Sequence, residues 1–444
     1  MRRNIALLLV FILLTACCMG MGIFMLANTE NRIIVVPDHC PTIAIAIANA
    51  ANGDTVFVKK GTYEGAQNET LFINKTISLV GEDAESTIIN LHPPLVPMYI
   101  FTYEYMGYLN AINIAAQGVK ISDFTINTPG GNIEINSDQV ILSNNNITTG
   151  VSVNGAESQI IDNIILGGIY FGGYNQTIVR NIIKRGTSVN GRYSVVADNT
   201  FTGGDSDVIT ISSNNNLILN NTVLNNKGIA IELKYNVSKI TIAKNDLTHS
   251  GIRLETRSSS NNVHGNTIRW ISLMGFNNVF TANRIGHVSI GGWHGGSIDA
   301  ANNNFYNNNF VDSAPEFTVY TKDPGPLFLD GNFWSSNVGM APYKVYGEYH
   351  YFDGARREDT TVYCGKDSSP LQSPFDIDSL HVKLPEWATV YLSALSATSS
   401  PEPQTTVSFT LALVIAASAV AIVVVGMGLL TLIIFRKRGG GSSK

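Results

Sequence analysis

The stretch from Asn145 to Phe201 reads NNITTGVSVNGAESQIIDNIILGGIYFGGYNQTIVRNIIKRGTSVNGRYSVVADNTF. Four times in it, at Asn145, Asn163, Asn181 and Asn199, an asparagine stands two places before Ile147, Ile165, Ile183 or Phe201. The pattern extends both ways, to Asp123 on one side and to Asn221, Asn245, Asn266, Asn283 and Asn308 on the other, with spacings of 22, 18, 18, 18, 22, 24, 21, 17 and 25 residues. Spacing near twenty marks a repeat architecture. A leucine-rich repeat needs a leucine frame that is absent here, and helical repeats are longer and poorer in Asn and β-branched residues. The remaining solution is a stack of β-coils, an all-β parallel β-helix.

Asn suits such a coil because it tolerates the left-handed backbone a sharp turn requires. With rungs ~4.8 Å apart, the same Asn in successive rungs can also pass a hydrogen bond from amide to amide, each adding on the order of 1 kcal/mol. The apolar residue two places on (Ile147, Ile165, Ile183, Phe201, Val223, Leu247, Ile268, Ile285, Phe310) is expected to point inward. A disordered Asn-rich tract would not keep it there.

The chain has 444 residues, of which 14% are charged and 44% hydrophobic, with a net charge of −5. No basic patch favours nucleic acid as a partner. Ile5 to Ala27 and Val407 to Phe435 are uncharged runs long enough to cross a bilayer. Arg2 and Arg3 precede the first, and Arg436, Lys437 and Arg438 follow the second. Charge on these outer sides predicts cytoplasmic termini, a lipid bilayer as partner and an extracellular solenoid at the plasma membrane. Residues 1–27 form a signal peptide cut near Ala27, a retained signal anchor, or a lipoprotein leader through Leu14-Thr15-Ala16-Cys17. The expected order is then a β-helix over 28–310, a C-terminal cap region over 311–392, a polar linker over 393–406, a transmembrane helix over 407–435 and a tail over 436–444.

Six Asn-x-Ser/Thr sequons at Asn68, Asn74, Asn146, Asn175, Asn220 and Asn236 suit a glycosylated surface protein, though an Asn- and Thr-rich chain also produces them by chance. Cys40 and Cys364 lie outside the apolar runs. Nine rung spacings separate the ends of the stack by roughly 43 Å, while a disulfide needs Cα atoms within ~7 Å. Free thiols are therefore expected unless the C-terminal tail folds back.

Ile33-Ile34-Val35-Val36 reads as a strand, and Pro41 to Asn52 as a short helix that covers the open end of the stack. Pro93 to Leu109, rich in aromatics, reads as a loop. Gly53-Asp54-Thr55, Gly61-Thr62-Tyr63, Ile73-Asn74-Lys75 and Leu79-Val80-Gly81 stand in an order that resembles the opening of pectin-lyase-like β-helix proteins. That resemblance, over roughly residues 35 to 335, implies a right-handed coil. NNFVDSA at 308–314, GNFWSSN at 331–337 and SSPLQSPF at 368–375 resemble the C-terminal cap of archaeal NosD-type surface proteins. NosD-type proteins are associated with copper-site maturation. Their acidic residues after the aromatic pair are replaced here by Ser335, Ser336 and Asn337, so this motif lacks the carboxylates that a metal site implied by the resemblance would use.

Chemistry has several places to reside. Val208-Ile209-Thr210-Ile211, Ile229-Ala230-Ile231-Glu232 and Ile252-Arg253-Leu254-Glu255 read as one repeated strand. Stacking Ile211, Ile231 and Leu254 inward sets Glu232 and Glu255 on adjacent rungs, with Lys234 and Arg257 beside them. Two carboxylates ~5 Å apart can act as acid and nucleophile on a glycan; the same residues also make an ordinary solvated charge ladder. Asp205 and Asp207, with Arg253, are the further candidates for a hydrolase, or for a lyase that binds calcium through carboxylates. His249, His264, His287 and His294 are candidate copper ligands, without His-x-His or Cys-x-x-Cys spacing to support them. Trp270 and Trp293 offer flat faces to sugar rings. Together these features predict a membrane-anchored surface protein that binds polysaccharide or envelope glycan or acts as a spacer, with no required cofactor. A polysaccharide lyase or hydrolase is the alternative, and a NosD-like metal-associated role the second.

Overall fold

Turn residues every few positions leave room only for short strands, and three form per rung. Ile141–Ser143, Asn146–Ile147 and Val151–Val153 make one rung, and they pair in parallel register with Gln159–Ile161, Ile164–Ile165 and Ile169–Phe171 of the next. Repetition of this step makes three long parallel sheets. The first runs from Ile33–Val36 to Leu327–Asp330, the second from Gly61–Gln67 to Phe333–Trp334, and the third from Leu71–Ile73 to Tyr343–Asp353. The result is an all-β solenoid of right-handed type with about a dozen turns. The structure, a computed structural model, describes residues 31–389 and 392 apart from 101–102, 204–207, 292–299, 313–316, 321–324, 326, 337–341, 354–355 and 380. Both apolar runs, the linker and the tail lie outside the described residues, among which no helix is long and apolar enough to cross a membrane.

All nine apolar residues predicted to point inward are buried. The asparagines form the expected ladder: each Nδ2 donates to the Oδ1 of the next, from Asn145 through Asn163, Asn181, Asn199, Asn221, Asn245, Asn266, Asn283 and Asn308 to Asn332. Asn199 shows the bonding in full. Its Nδ2 donates to Ile178 O at 2.9 Å and Asn221 Oδ1 at 3.0 Å, and its Oδ1 accepts from the backbone N and Nδ2 of Asn181. Every polar atom of the buried amide is satisfied.

Three expectations about the ladder change. The left-handed residue is the one before each ladder Asn: Asn144, Asp162, Arg180, Asp198, Asn220 and Lys244 have φ of 55, 57, 56, 56, 52 and 53°. Side chains as different as Arg and Asp accept that turn, so Asn is required for its amide rather than for its backbone. Asp123 (φ 66°) belongs to this turn column, not to the ladder; the ladder position of its rung is Phe124, whose N–H donates to Asn145 Oδ1. At the other end the stack does not stop at Asn308. Asn332 continues it, and Asp367, fully buried and supplied by the strand Arg356–Asp367, terminates it. Its carboxylate accepts from Asn332 N and Nδ2, Gly331 N, Ser369 N and Trp334 Nε1. Because every amide points its NH2 toward the C-terminal end, the ladder presents its positive pole there, and a carboxylate is the group that answers it.

A second buried polar column, unforeseen from the sequence, runs along another corner through Ser158, Gln176, Ser194 and Asn216, and again through Asn261, Asn278 and Asn303. Near the C-terminal end aromatics fill the interior, with Phe280 stacked on Phe305 at 4.5 Å and Phe310 on Trp334 at 4.2 Å.

The N-terminal helix spans Ile43–Asn49, capped by Thr42, whose side chain accepts from Ile45 N. It packs Ile43, Ala46 and Ile47 toward Ile33–Val36 and Thr55–Val58 and leaves Ile45 exposed. Residues 93–109 form a β-hairpin, Leu95–Ile100 against Tyr103–Tyr108, instead of a loop. The C-terminal segment does fold back: Phe375 exchanges backbone hydrogen bonds with the Asn309 side chain, and Trp387 meets the Tyr193 ring edge-on. Cys364 stays behind in the hairpin strand while Cys40 lies beside the N-terminal helix, so both are buried free thiols. Burial pushes the Cys364 thiol up to about 11.

Two expectations follow for stability. Asn199→Ala strands the amide donors and acceptors above and below it and is expected to cost about 3–5 kcal/mol in chemical denaturation; Asp367→Ala, which orphans Asn332 and Trp334, behaves alike. Asn154→Ala, on the exposed surface, stays within about 0.5 kcal/mol. The Arg32 guanidinium, 2.7 Å from Asp54, together with the Ala51 and Arg32 N–H groups, holds the Asp54 carboxyl down at about 2. A carboxyl depressed on folding stabilises above its unfolded pKa and loses that contribution as pH falls through the folded value. An acid titration of Asp54→Asn should therefore lack the part of the wild-type unfolding that falls between roughly pH 4 and pH 2.

Candidate functional site

Outward residues of the third sheet form a column in strict register. Tyr170 pairs with Ser188, Ser188 with Thr210, Thr210 with Glu232, Glu232 with Arg253, and Arg253 with Ser272. Ser188, Thr210 and Ser272 are small and polar; Tyr170 and the charged pair Glu232 and Arg253 are the bulky members.

The register differs from the one the sequence suggested. Ile231-Glu232-Leu233 lies against Ile252-Arg253-Leu254, so Leu233, not Ile231, is the inward partner of Leu254. A one-residue bulge at Ile229–Ile231 precedes this pairing. Glu232 therefore faces Arg253 instead of Glu255, and Glu255 falls beside Lys234, with Glu255 N donating to Leu233 O. The four make an alternating square. Lys234 Nζ lies 2.5 Å from Glu232 Oε2, and the Arg253 guanidinium lies 3.6 Å from Glu232 Oε1 and 3.9 Å from Glu255 Oε1.

A solvated charge ladder does not describe this square, because the Glu232 side chain is only 2% exposed. Its Oε2 and the Arg253 Nε are both buried without a hydrogen-bond partner among the described residues; the short contact to Lys234 has the distance but not the direction of one. Glu255 is 29% exposed, and burial, with Glu232 adding to it, pushes its carboxyl above the ordinary range against the opposing pull of Arg253 and Lys234. The square thus joins a carboxyl with raised proton affinity, a buried carboxylate and two cations. It can pair a substrate carboxylate and move a proton.

The other candidates are not gathered there. Asp205, Asp207, Trp293 and His294 lie outside the described residues. His264 sits on the first sheet, where burial and then Lys244 lower its pKa. His249 and His287 lie on strands that run through the corner between the second and third sheets. Among the described residues no three His, Cys, Asp or Glu side chains form a group able to hold a metal, whether calcium or copper. Trp270 is no open platform: it is half-buried, its ring lies over Gly251, where a Cβ would stand 2.2 Å from Cδ2, and His287 flanks it in register. Arg257 leans over the Tyr235 ring at 5.4 Å, away from the role beside Glu255 expected of it. Of the sequon asparagines, Asn68, Asn74, Asn220 and Asn236 are exposed and Asn146 and Asn175 half-buried, and Asn220 donates to Asp198 Oδ1 at 2.6 Å.

No family model matches this chain, and no curated protein does. Solved structures do. One is an alginate lyase in complex with G6, at 12% identity and TM-score 0.51, covering 80% of this chain and 93% of its own. Another is a PL6 alginate lyase in complex with a trisaccharide, at 12% identity and TM-score 0.52, covering 80% and 95%. The likeness establishes the parallel β-helix fold.

The raised carboxyl sets a sign for stability. An acid whose pKa rises on folding is destabilising once ionised. Glu255→Gln is expected to raise the melting temperature at neutral pH and to leave it unchanged in acid. Glu232→Ala should lower it at neutral pH, since Lys234 and Arg253 lose the buried carboxylate between them.

Proposed function

We propose that this chain acts on an acidic polysaccharide laid along the outward face of the third sheet, by a lyase-type elimination at the Glu232–Lys234–Arg253–Glu255 square. The observation that carries this reading is the pair of buried atoms without a hydrogen-bond partner among the described residues, Glu232 Oε2 and Arg253 Nε, on an outward column where small polar Thr210 and Ser272 flank them. Buried polar atoms left unsatisfied are costly, and in a native protein they call for a function. The fold neighbours include alginate lyases, and alginate is a 1,4-linked polyuronate, which supports a uronate as the sugar handled.

In this scheme Arg253 pairs the uronate carboxylate and stabilises the charge that develops on it. Glu255, whose proton affinity is raised, takes the proton from the carbon α to that carboxylate. The C–H electrons form the new double bond as the bond from the β carbon to the glycosidic oxygen breaks, and the Lys234 ammonium gives that oxygen its proton. Glu232 holds Lys234 and Arg253 apart and in place. The square is also internally neutral, with Lys234 already paired, and this favours a second reading in which the face binds acidic glycan without cutting it.

Ile5–Ala27 and Val407–Phe435, by hydropathy and flanking charge, are in this reading the segments that hold the solenoid outside the plasma membrane, and the Ile43–Asn49 helix shields its first rung. The likeness of GNFWSSN to NosD-type caps adds no copper role: Asn332 and Trp334 of that motif serve the ladder and its aromatic core.

The test incubates the full chain with alginate, pectate and a neutral glucan, following binding and the ultraviolet absorbance of unsaturated ends. Elimination with a polyuronate alone is expected, reduced at least about 100-fold in Glu255→Gln and Arg253→Ala, with an acid limb above the usual carboxylate range. Binding without new absorbance sinks the elimination and leaves the binding reading; no binding to any acidic chain sinks both.

A further inference from the structure

Three register steps from Glu232 on the same outward column stands Tyr170, about 14 Å away along the axis. Its ring is 45% exposed. The two residues between, Ser188 and Thr210, are small and half-buried, so among the described residues of the column no bulky side chain stands in the track. Tyr170 lies at the edge of a hollow of about 520 Å³ that Ser152, Ser188 and Arg185 also line. Gly167 and Gly168 set its depth, because a Cβ at either would stand 2.3 Å from Gly150 N or 2.6 Å from Gly186 O. Any side chain there would break the packing of adjacent rungs, and its absence leaves the hollow open. Arg185 is exposed and has no ion-pair partner among the described residues, unlike Arg32, Arg180 and Arg253, each of which meets a carboxylate.

An exposed aromatic ring, an unpaired guanidinium and a polar hollow are the parts that recognise a sugar acid. The ring stacks on the pyranose face, and the guanidinium forks onto the carboxylate. We infer that Tyr170 and Arg185 form a distal subsite for an extended 1,4-linked polyuronate whose reacting unit sits at Glu232–Arg253. This rests on the function proposed above and narrows it. One pyranose unit in an extended chain is about as long as one rung spacing, so the unit at Tyr170 is the third from the reacting one. Shorter ligands seated at the square do not reach the hollow, which makes the preference for long chains a property of this pair.

The experiment measures binding of the full chain to a length series of defined oligouronates, dimer to octamer, by calorimetry, with turnover followed in parallel. In the wild type, affinity is expected to climb steeply once the ligand spans the track. In Tyr170→Ala/Arg185→Ala the ratio of hexamer to dimer affinity falls about tenfold, while Tyr170→Phe, which keeps the ring, retains it. An unchanged melting temperature shows that the double variant folds. An unchanged ratio in the double variant, or a wild type whose affinity does not rise with length, overturns the subsite whether or not the chain is cut. Length-dependent binding that vanishes in the double variant, with no turnover anywhere, upholds the subsite and overturns the elimination alone.

Discussion

Parallel stacking in register at one strand spacing is the constraint on which the rest of this molecule depends. Once a rung lies ~4.8 Å above its neighbour, every residue has a counterpart directly above and below, and the protein becomes a set of columns. A column of isoleucines is a core, and a column of buried amides is a continuous hydrogen-bonded rail. The rail is demanding in a way the core is not. Leu, Val and Phe replace Ile at Leu247, Val223 and Phe201 without interrupting the packing. The ladder runs unbroken from Asn145 to Asn332, because only a primary amide both donates and accepts at that spot. Asp is tolerated only at the end, where nothing further has to receive a proton, and there Asp367 stands.

This difference explains what the sequence revealed. The rail and the inward column were legible because their chemistry allows so few substitutes. The turn column was not, since it accepts Asn144, Asp162, Arg180, Lys244 and Ala282 alike, and the asparagines beside it drew the eye. The second rail hid for a similar reason: Ser158, Gln176 and Asn216 perform one task with three side chains of different length. Asp367 lies 35 residues from the Asn332 it serves and arrives on an antiparallel strand, beyond any periodicity.

The site was half legible, and the missing half is instructive. Its four residues were visible, but IAIEL and GIRLE align equally well in two registers that differ by two residues, since both keep aliphatic side chains inward. The structure takes the register that sets Leu233 against Leu254, with a one-residue bulge at Ile229–Ile231 that no side-chain pattern announces. The consequence is chemical. The observed register sets Arg253 opposite Glu232 and drives Glu232 under its neighbours, while the Glu255 carboxyl still feels the Glu232 one beside it.

A solenoid has one more property that a globular domain lacks. Its surface repeats at nearly the interval of an extended polysaccharide, so a single outward column can meet successive sugars with successive side chains. Between Tyr170 and Glu232 that column offers only Ser188 and Thr210, which leave a chain room to lie flat. The features that would grip or alter it, an aromatic ring with an exposed arginine at one end and a buried acid with its two cations at the other, are spaced a whole number of rungs apart. Spacing of that kind follows from the rail. Any slip of one amide along the ladder would move every outward residue on that side of the slip and break the match between the two ends of the track. The buried asparagines therefore fix where the outer surface can hold a polymer, though none of them touches it.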